Sequence, residues 1–62
     1  MNLNIESKLV QIGMDKYGGS FAKSLGIALS NADANNTTII KNAFPEIWER
    51  YLDMGKYVEE ST

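Results

Sequence analysis

Helix-breaking residues recur along this sequence at intervals too short for any long element. Gly18-Gly19, the run Asp33-Ala34-Asn35-Asn36 and Pro45 leave no uninterrupted segment longer than 17 residues. Glycine accepts the left-handed conformation common just past a helix C-terminus. Aspartate and asparagine suit turns and cap helices. Proline cannot donate its backbone N–H and disfavours helical geometry at the preceding residue, here Phe44. Between these breaks the apolar residues recur at helical spacing, and no segment alternates with period two for long enough to make a strand. The expected fold is all-α, a compact bundle of three to four short helices in one domain over residues 1–62.

The first helix is expected from about Asn4 to Tyr17, with Asn4 as its cap and Glu6 in the first turn, where a carboxylate suits the helix dipole. Ile5, Leu9 and Ile12 share one face, and Gly13 weakens the interior. Gly18-Gly19 ends this helix, and Ser20 caps a second, from Phe21 to about Asn31, with the stripe Phe21, Leu25, Ala28, Leu29 and Ala32. Beside that stripe, Ala22, Gly26 and Ser30 form a row of small side chains spaced by four. Such a row admits a close backbone, either a neighbouring helix of the same chain, the plainer reading, or a second copy in self-association. A third helix over 37–43, capped by Asn35 or Asn36, brings Ile39, Ile40 and Ala43 to the core. After a break at Phe44 the last helix starts with Pro45 at its first position and Glu46 just inside. It runs to about Met54, or past Gly55 to Val58, and carries Ile47, Trp48, Tyr51 and Met54, flanked by Leu52. Trp48 and Tyr51 are read as core-edge residues rather than ligand platforms. Glu59 to Thr62 is expected to fray.

Cysteine and histidine are both absent. That removes disulfides, thiolate and imidazole metal sites, and histidine acid–base catalysis. A serine nucleophile would need a base within hydrogen-bond reach, and no local motif marks one. Gly18-Gly19-Ser20 precedes a helix and could meet an anion there, but it has neither the Walker nor the dinucleotide-binding pattern and reads as consecutive caps. Asp33 to Asn36 lacks the alternating oxygen ligands of a calcium loop. No catalytic, cofactor-binding or metal-ligating residues are therefore expected. Charge is uneven: the chain carries +1 through Lys41 and −3 from Asn42 onward. Glu46, Glu49, Asp53 and Glu60 stand at offsets of three, seven and fourteen and share one helical face. A solvated helix side is the plainer reading, and an acidic partner-binding face that occupies a basic cleft is the sharper one. Apolar runs are too short for a membrane span, and residues 1–7 show no signal-peptide pattern.

A chain this short buries only roughly 60% of its unfolded surface, so self-association or a bound partner is the expected support. The stretch Tyr17-Gly18-Gly19-Ser20-Phe21, with Leu25, Ala28-Leu29, Ala32-Asp33, Asn36, Ala43-Phe44-Pro45-Glu46, Trp48-Glu49 and Tyr51, resembles a pattern in small phage and prophage proteins of unknown role. The resemblance covers about residues 17–54 and implies a phage source and a bacterial cytoplasm, with no established activity. The function expected is non-catalytic: a protein–protein interaction module, homo-oligomeric, that modulates a host or phage factor. The alternative is a helix-turn-helix-like nucleic-acid binder around the Asp33–Asn36 turn. Against it stand an acidic last helix and a third segment whose one basic residue is Lys41.

Overall fold

Four helices follow the breaks read from the sequence. In the computed structural model, which describes residues 1–61, they are α1 (Leu3–Tyr17), α2 (Ser20–Ser30), α3 (Ala34–Ala43) and α4 (Pro45–Ser61). The all-α bundle is thus observed. Asn2 caps α1, its Oδ1 accepting the Ile5 N–H at 2.8 Å, so the cap falls two residues before the expected Asn4. Asp33 caps α3 in the same way through the Asn36 N–H at 2.8 Å, and α3 starts at Ala34 rather than 37. An aspartate three residues ahead of a free N–H captures it as well as the expected Asn35 or Asn36 would further along. Ser20 is the first residue of α2, and Gly19 holds the cap position without a side-chain bond. Pro45 opens α4 as expected, after Phe44 leaves helical geometry at φ −129°, ψ 61°. α4 is helical to Ser61, through the residues where fraying was expected, and Thr62 lies outside the described residues.

The core is built on α1. Its buried residues are Ser7, Val10, Gly13 and Met14, not the row Ile5, Leu9 and Ile12, of which Ile5 is exposed and the others half-buried. The face turns because α1 meets α4 at a glycine, which an apolar stripe does not count. A Cβ on Gly13 would overlap the Tyr51 carbonyl oxygen and lie 3.1 Å from the Gly55 nitrogen; one on Gly55 would overlap the Leu9 carbonyl. α1 and α4 therefore cross backbone on backbone, each offering a glycine to the other. Glu6 meets Trp48, Gly13 meets Tyr51 and Gly55, Gly55 meets Leu9, and Tyr17 lies beside Met54 and Tyr57.

α2 packs on α1 through Ala22, Gly26 and Leu29, and a Cβ on Gly26 would sit 3.3 Å from the Met14 Cβ. Of the row Ala22, Gly26 and Ser30, the first two are thus taken up inside the chain. Ser30 is exposed and donates its hydroxyl to the Ile27 carbonyl at 2.7 Å. The predicted stripe is corrected accordingly: Leu29 is core, Leu25 and Ala32 are half-buried, and Phe21 and Ala28 are exposed. Gly18 and Gly19 are extended, with φ −81° and −80°, and not left-handed. At Gly18 the requirement is room: a Cβ there would meet the Ala22 side chain at 2.6 Å. α3 is loosely held. Ile40 is half-buried, Ala43 is exposed, and Ile39 is 54% exposed, while Thr37 is the buried residue of this helix.

Candidate functional site

Two groupings stand out once the helices are placed. The first lies where α1, α3 and α4 meet. Trp48 is 1% exposed, and its indole N–H needs an acceptor. Glu6 supplies it: Oε1 accepts Trp48 Nε1–H at 2.9 Å and the Lys41 ammonium at 3.1 Å. Lys41 Nζ also lies 5.7 Å from the Trp48 ring centroid, within cation–π range. The indole bond first, then the lysine, hold the Glu6 carboxyl below its ordinary value of 4.5. This cluster is satisfied within itself and fastens three helices. It binds Lys41 into the fold, the one basic residue of α3.

The second grouping is a flank at the edge of the core, against which Ile47 and Tyr51 already pack. Along α4, Ile47, Tyr51, Met54 and Val58 are half-buried at spacings of four, three and four. Beside them, from the end of α1 and the start of α2, stand Tyr17 and Phe21, with Phe21 58% exposed and in edge contact with Phe44 at 5.9 Å. Tyr57, 64% exposed, borders the same hollow as Tyr17. Two shallow hollows of about 330 and 360 Å³ lie along this line, one between Phe21, Ala22, Ile47 and Tyr51, the other between Tyr17, Asp53, Met54 and Tyr57.

The four acidic residues expected on one face, Glu46, Glu49, Asp53 and Glu60, are all exposed along α4, and Asp53 borders the second hollow directly. Arg50 lines the first. Trp48 is core, and Tyr51 is half-buried at the base of the flank. The aromatic contributors Tyr17, Phe21 and Tyr57 were not expected here: Phe21 was assigned to the core, and the others lay outside every stripe. The stripe Ile47, Tyr51 and Met54 was read from the sequence, and Val58 stood there as the outer bound of the helix; no local pattern brings Tyr17, Phe21 and Tyr57 beside it.

A smaller cleft of about 240 Å³ between Leu3, Ser7, Ala32 and Thr37 presents two hydroxyls, and the Ser7 oxygen already accepts the Gln11 amide at 3.0 Å. Among the described residues no three carboxylates converge to hold a metal ion, and no helix is long and apolar enough to cross a membrane. Searches against protein-family models, curated proteins and solved structures find no match to this chain.

Proposed function

We propose that the protein acts by binding, without catalysis, and that the α4 flank is its docking surface for another protein. One observation carries this reading: Tyr17 and Tyr57 border one hollow along α4 and Phe21 borders another, all three exposed outside a core that Trp48 and Met14 already close. Large amphipathic rings anchor protein interfaces because they bury much area while giving up little side-chain freedom. The resemblance to small phage proteins supplies the setting, a bacterial cytoplasm and a host or phage factor as partner. The homo-oligomer expected from the small core would have to use a surface other than Ala22 and Gly26, which face α1. The nucleic-acid alternative is less well supported. α3 shows solvent Asn35, Asn36, Thr38 and Asn42, but Lys41 is committed to Glu6, and phosphate binding needs clustered cations.

The test compares three baits in bacterial lysate: the natural chain, Phe21→Ser/Tyr57→Ser, and Ile39→Ser as an exposed change on α3. A protein held by the first and third but lost from the second supports the flank. The same proteins on all three baits would refute it. Binding to random duplex DNA that weakens steeply with added salt would favour the alternative.

A further inference from the structure

We propose that the cleft where the first turns of α1 and α3 meet binds a small monocarboxylate with a short aliphatic body, at a site separate from the α4 flank. Leu3, Asn4 and Ser7 form one wall, and Ala32, Ala34 and Thr37 the other, around a space of about 240 Å³. Ser7 and Thr37, each only 5% exposed, are the polar side chains buried among the described residues. Their neighbour Thr38 turns its hydroxyl back on the Ala34 carbonyl at 3.0 Å. Thr37 does not. Its hydroxyl meets no partner among the described residues, yet no fully enclosed side-chain oxygen is left unsatisfied, so it opens on the cleft that it lines. The Ser7 oxygen accepts the Gln11 amide at 3.0 Å, which leaves its proton to give.

The chemistry of the walls selects the ligand. Both hydroxyls can donate, and Leu3, Asn4 and Ala34 add backbone N–H groups at positions where a helix start has no intrahelical acceptor. Two helix N-termini bring their positive dipole ends to the same place. No acidic residue lines the cleft: Glu6 is engaged by Trp48 and Lys41, and Asp33 accepts the Asn36 N–H. An anion is the acceptor that such a wall suits. Asp33, between Ala32 and Ala34 in the chain, weighs against a second negative charge. Leu3, Ala32 and Ala34 give an aliphatic body its apolar contact, and a volume below that of most ligand pockets keeps it short.

The experiment titrates the ¹⁵N-labelled full chain with sodium butyrate at neutral pH and constant ionic strength, beside butyramide and inorganic phosphate. Butyrate is expected to move the amides of Leu3, Asn4, Ser7, Ala34 and Thr37, to saturate at millimolar concentration, and to bind more tightly than the other two. Thr37→Val keeps the shape and removes the hydroxyl, and should weaken butyrate about ten-fold. Ser7→Ala should weaken it as well. Amide spectra of the free variants check that each folds, and the comparison of ligands on the natural chain decides even where one does not. Butyramide binding equally well would overturn the anion, and phosphate binding equally well would overturn the carboxylate with its aliphatic body. Unmoved cleft amides, or butyrate binding that ignores both hydroxyl changes, would overturn the site.

Discussion

Glu6 holds donors from residues 35 and 42 positions further along the chain, so its loss is felt in three helices at once. Glu6→Ala strands the buried Trp48 N–H and is expected to cost about 1–3 kcal/mol in urea unfolding. Glu6→Gln keeps an acceptor oxygen and should cost less. The natural protein and Glu6→Gln also separate by pH. Because the folded carboxyl titrates below its ordinary 4.5, the unfolded chain takes up the proton first. The stabilisation is therefore complete above that value and drains away as pH falls through the lower, folded one. Between about pH 6 and pH 3 the natural protein should lose more stability than Glu6→Gln. A slope unchanged by the substitution would show that other carboxylates carry the acid sensitivity. From the sequence, Glu6 was legible as a first-turn carboxylate and nothing more. Its two partners are remote, and no local pattern joins residue 6 to residue 48.

Between elements, the decisive contact is the paired approach of Gly13 and Gly55. Alanine is the better helix former by about 1 kcal/mol, yet Gly13→Ala and Gly55→Ala are expected to destabilise, by about 1–3 kcal/mol or more, because each methyl meets backbone that cannot step aside. Gly19 is the contrast: a Cβ there meets nothing within 4 Å, and its cap position lacks a side-chain acceptor. Gly19→Asp should leave stability unchanged or raise it by a few tenths of a kcal/mol. Pro45→Ala should lower it by no more than about 1 kcal/mol, since proline at the first helical position is already well placed. Thermal melts of the four proteins rank these effects, and a clear rise for Pro45→Ala would contradict its place at a helix start. The breaks were readable because glycine, aspartate and proline act on their own backbone. Facing was not. Periodicity weights large apolar side chains, whereas α1 and α4 chose their contact by the absence of a side chain, turning Ile5 out and Ser7 in.

As a whole molecule the chain is already dense: its Cα radius of gyration is 10.4 Å, against about 10.6 Å for a compact domain of this length. Sedimentation and thermal melts check the self-association expected from the small core: a melting temperature that falls on dilution supports it, and a folded monomer at micromolar concentration whose melting temperature ignores dilution would sink it. The acidic row was visible beforehand because spacing alone defines it, but the aromatic wall was not, since Tyr17 and Tyr57 come from opposite ends of the sequence and only the α1–α4 crossing brings them together. That crossing also has a consequence for how the chain comes into being. Most of what α1 packs against belongs to α4, with α2 as a second support. A nascent chain that has emerged only as far as Ala43 holds Val10 and Met14 but has neither Trp48 nor Leu52 to lay over them. Folding of the bundle therefore requires α4, and a copy truncated before Pro45 is expected to stay open, with a far-ultraviolet circular dichroism signal that does not melt cooperatively.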